Sequence, residues 1–147
     1  MSERRYWIGV VAQDHVEAAV AHGFVQLNYG KAGPLERMQP GDGVAFYSPR
    51  ATWPDGAPLQ AFTAIGRVGE GAIFEAEAVD PAPTFRRSAL YFDATLAPIK
   101  PLLERLSFIR NKAHWGAAFR FGVVRVPRDD FAAIAAAMGR DPDVDFA

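Results

Sequence analysis

The chain contains no cysteine, and this absence excludes two kinds of site and one class of protein. Without thiols there is neither a disulfide framework nor a zinc–thiolate centre, so a secreted domain stabilised by disulfides is excluded. The three histidines, at positions 15, 22 and 114, also lack the spacing of metal ligands. We therefore expect no metal site.

Long apolar runs are missing as well. The apolar stretch near the N-terminus, residues 6–12, ends at Gln13 and is too short for a signal-peptide core or a membrane span. The glycines at 66, 69 and 71 fall in a predicted hairpin turn and open no helix, so they do not form a phosphate-binding loop. These observations predict a soluble cytoplasmic protein without a membrane partner, a nucleotide cofactor or any other cofactor.

The size of the chain favours one domain. It has 147 residues, of which 50% are hydrophobic, which is enough for one sizeable core and too little for two. We expect this domain to cover residues 1–147. The segment after Gly139 is rich in aspartate, and we expect this acidic tail to be frayed from about residue 140.

The charges are unevenly distributed along the chain. The net charge is only −1, yet residues 86–128 contain nine Lys or Arg and two Asp or Glu, a local excess of seven positive charges. A surface of this kind attracts nucleic acid without making the whole molecule basic. We call residues 86–128 the basic segment. The alternative is that its charges are spread over several solvated faces.

Short apolar segments predict the secondary structure. Residues 6–11 indicate a buried strand, and a helix is expected to follow, with Asp14 as its N-cap, Glu17 completing a capping box and Gly23 ending it. Apolar residues at i, i+3, i+4 and i+7 predict a short helix over 98–106, and a terminal helix is predicted near 128–138. Further strands are predicted at 25–28, 44–48, 59–68, 72–78, 84–96 and 119–124.

The order of these elements indicates the fold class. Strands 59–68 and 72–78 are predicted to form a hairpin around Gly69 and Gly71, and the chain shows no βαβ repetition. Closely spaced short strands favour a mainly β, α+β fold. We expect a curled, largely antiparallel sheet or partly closed barrel with flanking helices.

Several sequence stretches, in their order and spacing, resemble the EVE family. They are 6–10 (YWIGV), 23–27 (GFVQL), 38–42 (MQPGD), 59–66 (LQAFTAIG), 106–110 (LSFIR), 114–116 (HWG) and 119–122 (FRFG). The resemblance spans about residues 6–139 and implies a PUA-like pseudobarrel related to the YTH readers of methylated adenine in RNA. It implies binding of modified bases and does not imply catalysis. Gly43 stands where the family pattern leads us to expect a bulky residue such as Trp, which suggests a wider pocket.

Recognition of an extruded base requires aromatic surfaces for stacking and amides for its edge. Gln26 and Asn28 are candidate edge readers, and Tyr29 follows them in the chain. Tyr47 and Ser48 lie at the exit of a strand and form a candidate pair, with Phe46 left to the core. The alternative for the amides is that they tie a loop to neighbouring backbone.

Two polar residues after the first strand complete the candidate pocket. The resemblance places Gln13 and His15 where related readers position polar groups against the modified base. His15 beside Asp14 does not indicate acid–base catalysis, because adjacent residues rarely orient each other's functional groups and no nucleophile accompanies them. We expect no enzymatic activity.

The densest mixture of cations and aromatics lies at residues 108–115. Arg110, Lys112 and protonated His114 are candidate phosphate contacts, and Trp115 is a candidate stacking surface. Lys31 and Arg120 are further candidates for phosphate binding. The alternative is a structured loop in which Trp115 fills the mouth of the barrel and the cations are solvated.

Together these residues predict a non-enzymatic protein that binds RNA or DNA carrying a modified base. The base is expected in the pocket and the phosphates on the basic segment, so that phosphate contacts set affinity and base contacts set specificity. The alternative function is binding of a free modified nucleoside or nucleotide, which needs the same pocket without an extended basic track.

Overall fold

A computed structural model describes residues 3–76 and 84–147, and a curled sheet forms its centre. The strands are β1 (Tyr6–Val10), β2 (Phe24–Val25), β3 (Gly43–Arg50), β4 (Pro58–Val68), β5 (Phe74–Ala76), β6 (Thr84–Tyr91), β7 (Ala97–Pro98) and β8 (Val123–Val126). The helices are α1 (Gln13–His22), α2 (Ala32–Glu36), α3 (Arg128–Ala137) and α4 (Pro142–Asp145). Short 3₁₀ helices cover Asn28–Gly30, Lys100–Arg105 and Trp115–Phe119. In these ranges no helix combines the length and the hydropathy needed to cross a bilayer.

The sheet has the order β2-β6-β4-β3-β1-β8, with β5 added to β6 and β7 added to β4. Its strand pairs are antiparallel except for β1 and β3, which run parallel, with Tyr6 opposite Gly43 and Val10 opposite Tyr47. The connection between these parallel strands carries α1 and α2, as a crossover requires. The mainly β, α+β fold of a PUA-like curled sheet with flanking helices is confirmed, and its central parallel pair makes the sheet mixed.

Alternation of side chains along β1 divides the core into two clusters. Tyr6 and Ile8 pack into one cluster with α3, whereas Trp7 packs into the other with α1 and β2. In β3, Ala45 and Tyr47 belong to the first cluster and Phe46 to the second. The central strands are therefore covered on both faces, which explains their nearly continuous apolar sequence.

The start of α1 differs from the prediction. Ala12 occupies the N-cap position, and no side chain caps the helix. The Asp14 carboxylate instead accepts a hydrogen bond from the His15 backbone N–H at 2.9 Å, while the Asp14 N–H donates to the Ala51 carbonyl. The capping box with Glu17 is therefore wrong, whereas Gly23 ends the helix as predicted, with φ +68°.

Two strand predictions also need correction. The predicted hairpin is wrong, because β4 and β5 both pair with β6, β4 through Gly66 and Tyr91 and β5 through Phe74 and Arg86. Residues 77–78 of that prediction lie outside the described residues. The last strand begins at Val123 rather than at 119, because Phe119 ends a 3₁₀ helix and Gly122 adopts φ +81°.

The acidic tail packs against the sheet, contrary to the frayed tail that its composition predicts. Residues 142–145 form α4, and Phe146 is only 3% exposed. Its ring contacts those of Phe131, Phe92 and Tyr6 at centroid distances of 5.0, 5.6 and 6.4 Å. One buried aromatic residue therefore outweighs the unfavourable composition of the segment.

We expect Gly66→Ala to destabilise the fold, because the backbone of β6 leaves no room for a Cβ at this position. A Cβ at Gly66 would collide with the Leu90 carbonyl oxygen and lie 2.9 Å from the Tyr91 Cα, and neither backbone atom can move alone. Overpacking of this kind costs about 1–3 kcal/mol, which corresponds to a fall of about 3–10 °C in Tm. Gly33→Ala is the control, since a Cβ there meets nothing within 4 Å. Equal melting temperatures for the two variants would contradict this packing.

The C-terminal segment should lose an ion pair in acid. Hydrogen bonds from Arg140 to Asp145, at 2.7 and 3.1 Å, lower the pKa of the Asp145 carboxyl below its ordinary value. A lowered folded-state pKa adds stability above the unfolded value of about 3.9, and this stability is lost as the pH falls through the folded pKa. We expect Asp145→Asn to lower Tm at pH 7 and to match the wild type at about pH 2.

Asp143→Asn is the control for this titration. Its partner Arg128 and Asp143 itself are largely solvent-exposed, and exposed ion pairs contribute little to stability. A Tm difference for Asp145→Asn that persists unchanged into acid would show that the side chain acts without its charge.

Candidate functional site

A cleft of about 730 Å³ opens where the parallel strands β1 and β3 end. The end of β1 and the start of α1 form one wall, and the loop after β2 forms another. The segment from Trp115 to Gly122 and the loop that contains Trp53 complete it. Five separate segments of the chain thus meet here, and we refer to this concavity as the cleft.

Aromatic rings form the floor of the cleft. The Tyr47 ring stacks on Phe119, with centroids 4.4 Å apart and planes at 17°, and Trp115 meets Tyr47 edge-on at 6.2 Å. Burial raises the pKa of Tyr47 to about 12, so its hydroxyl keeps its proton at neutral pH. The floor is therefore a packed aromatic layer in which Tyr47 and Phe119 are buried and Trp115 is partly buried.

A second set of aromatic residues surrounds the opening. Tyr29, Trp53 and Phe121 all line the cleft, and they are 83%, 60% and 78% exposed. Large aromatic side chains are usually buried in a folded chain, and a group of exposed ones commonly marks a binding surface. Among the described residues, Phe74 is the one other aromatic with comparable exposure, and it lies outside the cleft.

The backbone is strained at this same place. In the described ranges three residues other than glycine have positive φ, namely Asn28 (46°), Tyr29 (59°) and Gln60 (52°), and all three line the cleft. Such conformations cost about 1–3 kcal/mol each and concentrate at functional sites. The Asn28 Nδ2 donates to the Phe121 carbonyl at 3.4 Å, and Gly122 has no Cβ that would collide with the Asn28 side chain. This contact joins the loop after β2 to the segment from Trp115 to Gly122.

The charged side chains of the cleft share one sign. Lys31 and Arg120 line it, as does the imidazole of His15, whereas no Asp or Glu is found among its described lining residues. The Arg120 guanidinium lies 5.4 Å from the centroid of the Phe121 ring. Cations beside exposed aromatic faces suit a ligand that is both anionic and flat. Residues 3–76 and 84–147 contain no group of three or more His, Asp or Glu placed to hold a metal ion.

One amide in the cleft has a fixed partner. Gln26 lines the cleft, and its Oε1 accepts a hydrogen bond of 2.8 Å from the Arg86 Nε. The Arg86 guanidinium in turn lies 3.9 Å from the centroid of the Phe24 ring. The side chain of Gln26 is therefore held from behind by a residue outside the cleft.

A family model described as the EVE domain matches residues 5–137. The chain belongs to the EVE domain family. It is 46% identical over 132 residues to a UPF0310 protein of Mycobacterium avium, covering 90% of this chain and 96% of that one. The UPF0310 protein YdcG of Bacillus subtilis is 39% identical over 134 residues, which is 91% of this chain and 92% of YdcG.

A solved structure shares the fold of this EVE domain. It is the crystal structure of protein Atu2648 from Agrobacterium tumefaciens, with a TM-score of 0.56 and 14% sequence identity. The match covers 92% of this chain and 94% of that chain. At this identity the similarity concerns the fold alone.

Eight of the thirteen predicted site residues line the cleft of the EVE domain. They are His15, Gln26, Asn28, Tyr29, Lys31, Tyr47, Trp115 and Arg120. Tyr47 and Trp115 in particular are in contact, as a shared aromatic pocket requires.

Five predicted site residues lie elsewhere. Ser48 is buried beneath the cleft, where its Oγ donates to the Val11 carbonyl and lies 2.7 Å from the Thr63 hydroxyl. It faces away because consecutive strand residues point to opposite sides. Gln13 lies in the first turn of α1, outside the cleft, and Arg110 and His114 are exposed outside it.

Lys112 has a structural role instead of a free ammonium group. Its Nζ donates to the carbonyls of Leu103 and Leu106, each at 2.7 Å. Leu103 lies in the last turn of the 3₁₀ helix Lys100–Arg105 and Leu106 is its C-cap residue, so the ammonium group adds to the backbone hydrogen bonds that these two carbonyls already accept. Lys112, which follows the helix by several residues, therefore caps the end of the helix. Its position in the sequence gives no sign of this role.

The basic segment does not form one surface. Arg87 is buried and donates to the carbonyls of Leu35 and Met38, and Arg128 pairs with Asp143. Of the nine cations in the segment, Arg120 is the one that lines the cleft. The alternative of charges spread over several faces therefore describes this EVE domain better.

Gly43 belongs to the core and does not widen the cleft. A Cβ at this position would lie 2.7 Å from the Tyr6 ring and 2.9 Å from that of Phe131. The space that a bulky side chain would take at position 43 is filled by these two rings, which belong to the first core cluster.

The residues that line the cleft outside the predicted set include Trp53, Gln60, Phe119 and Phe121. For Trp53 a signal exists, since a large aromatic in a polar loop between two prolines has no neighbouring apolar residues to pack against. Phe121 falls within the predicted strand 119–124, but β8 begins only at Val123. Gln60 lies within β4, and nothing in its sequence context predicts its positive φ.

Proposed function

We propose that this EVE domain binds nucleic acid carrying a modified base, without catalysing a reaction on it. The observation that carries the proposal is the composition of the cleft: six aromatic side chains and three basic ones, with no acidic residue among the described lining residues. A nucleotide is the biological ligand that combines a flat aromatic group with negative charge. Both of its parts have a matching surface here.

The two sets of aromatic residues suggest two tasks. The floor of Tyr47, Phe119 and Trp115 is recessed and suits a single base turned out of its strand. The rim residues Tyr29, Trp53 and Phe121 project into solvent and suit the flanking bases, which stack without sequence preference. The volume of about 730 Å³ is adequate for a base together with its sugar.

The groups of the cleft are poorly suited to acid–base chemistry. Tyr47 stays protonated because burial raises its pKa to about 12, and no Ser, Thr or Cys is among the described lining residues. His15 lines the cleft, but the Asp14 carboxylate bonds to the backbone N–H of His15 rather than to its ring. An orienting partner for a histidine base is therefore not supplied by Asp14.

The second candidate function is binding of a free modified nucleoside or nucleotide. It is favoured by the dispersal of the basic segment, which leaves Lys31, Arg120 and His15 as the basic groups around the cleft. A free nucleotide needs no phosphate track beyond these. Affinity that does not increase with strand length would favour this function.

A binding screen tests the proposal. Single-stranded RNA and DNA oligonucleotides that differ in one modified base would be compared with unmodified strands by fluorescence anisotropy. We expect tighter binding of one modified strand and a dependence on strand length. A mononucleotide of the same base serves as the control for length. Equal, weak binding of every modified and unmodified strand would refute the proposal.

A further inference from the structure

The hydrogen bond between Arg86 and Gln26 determines which end of the Gln26 amide faces outward. An arginine side chain has only N–H donors, so its partner atom in Gln26 must be the carbonyl oxygen. This removes the usual ambiguity between the oxygen and nitrogen of an amide. The Gln26 Nε2, with two N–H donors, is the end that remains for a ligand.

Arg86 is itself held firmly. Its guanidinium lies against the Phe24 ring at 3.9 Å, and its backbone belongs to β6, where Phe74 of β5 is its register partner. The next residue, Arg87, is paired with Val25 of β2 on the other side. Because Arg86 is not among the residues that line the cleft, the bond draws the Gln26 oxygen away from it.

Three further polar side chains of the cleft have the same character. The Trp115 indole nitrogen, the Lys31 ammonium and the Arg120 guanidinium are donors only. Carboxylates, which would accept from an amino group, are missing among the described lining residues. The acceptors among the lining side chains include the amide oxygens of Asn28 and Gln60 and the hydroxyls of Tyr29 and Tyr47, so we assign donor character to the surroundings of Gln26 rather than to the whole cleft.

We propose that Arg86 is a positioning residue that turns the amino group of Gln26 into the cleft, so that the cleft selects bases with a carbonyl at their edge over bases with an amino group there. This inference rests on the proposed binding of a base in the cleft and adds the chemical class of that base. An amino-bearing base would place donor against donor and leave both without a partner.

Two pairs of mononucleotides provide the test, because within each pair an exocyclic carbonyl is exchanged for an amino group and the adjacent ring nitrogen changes from a donor to an acceptor. The probes are inosine and adenosine monophosphate, and uridine and cytidine monophosphate, with dissociation constants measured by calorimetry or NMR titration. We expect the wild type to prefer the carbonyl member of a pair by about tenfold, as one edge hydrogen bond gained and one donor clash avoided imply. The ratio within a pair is the readout, because a general loss of structure weakens both members alike.

Three variants separate positioning from stability. Arg86→Met should reduce the ratio to about one, Arg86→Lys should retain part of it, and Gln26→Glu should abolish it, because the carboxylate offers acceptors only. Arg105→Met, at an exposed cation outside the cleft, should keep the wild-type ratio. Gln26→Glu keeps the test valid if Arg86→Met does not fold.

The outcomes distinguish this inference from the function on which it rests. If the wild type binds none of the four mononucleotides and none of the oligonucleotides of the screen, both fail. Binding with equal affinity for carbonyl and amino members refutes the selection of carbonyl bases while the binding function stands. A ratio that survives in Arg86→Met refutes the positioning role of Arg86.

Discussion

Replacing Phe121 by Ala is expected to weaken binding of a single-stranded oligonucleotide by about tenfold to a hundredfold, while Tm stays near the wild-type value. The ring is 78% exposed, so its removal exposes no core and creates no cavity. The Phe121 ring is an exposed stacking surface at the opening of the cleft. A cation lies beside it, because the Arg120 guanidinium is 5.4 Å from the centroid of the ring. Stacking of a base on an aromatic side chain contributes about 1–3 kcal/mol, which sets the expected range.

Phe74→Ala is the matched control for this variant. Phe74 is also an exposed phenylalanine but lies on β5, outside the cleft, so its loss should leave affinity unchanged. Phe121→Trp should retain or improve binding because it keeps the aromatic face. If Phe121→Ala and Phe74→Ala bind an oligonucleotide equally well, the rim does not stack bases and the proposed arrangement is wrong.

The fold was predictable where local sequence determines it. The predicted helix 98–106 is present as a shorter 3₁₀ helix over Lys100–Arg105, with Leu102 and Leu106 buried, and Gly23 ends α1 with the positive φ that glycine tolerates. The parallel pairing of β1 with β3 was not predictable, because it joins residues more than thirty positions apart in the chain. Two short apolar strands carry no local signal of their relative direction.

Site residues were predictable when their chemical type alone suggested a role. Gln26, Tyr47 and Trp115 combine amide or aromatic groups with positions near the ends of elements, and all three line the cleft. Lys112 and Ser48 have equally suitable side chains, yet backbone carbonyls take up their hydrogen bonds. Such competition depends on tertiary neighbours, which a composition or charge count does not reveal.

The partnership of Arg86 with Gln26 illustrates the same limit. In the sequence the two residues are sixty positions apart, and Arg86 appears as one of a pair of cations in the basic segment. In the fold, Arg86 orients an amide of the cleft and Arg87 caps carbonyls of the segment around α2. A count of charges would place both arginines in solvent or against phosphate. In the structure both instead donate hydrogen bonds to other parts of the chain.

Removing Lys31 and Arg120 together is expected to lower affinity for a single-stranded oligonucleotide by about a hundredfold at low salt, since charge-assisted contacts are worth about 1.5–3 kcal/mol each. Both residues line the cleft, and neither donates a side-chain hydrogen bond to another described residue. If each contacts one phosphate, the double variant Lys31→Ala, Arg120→Ala should also reduce the log–log salt slope by about 1.4, or about 0.7 per contact. Anisotropy titrations over a range of salt concentrations measure both quantities.

The control for this variant removes the same amount of charge from another face. Arg105 and Arg110 are exposed cations of the basic segment outside the cleft, and the variant Arg105→Ala, Arg110→Ala changes the net charge by the same two units. If phosphates are bound at the cleft, the control should retain nearly the wild-type affinity and slope, because screening weakens charges beyond about 10 Å. If instead the control loses as much affinity as the cleft variant, overall charge rather than Lys31 and Arg120 attracts the strand. A wild-type slope in the cleft variant would show that these two side chains contact no phosphate.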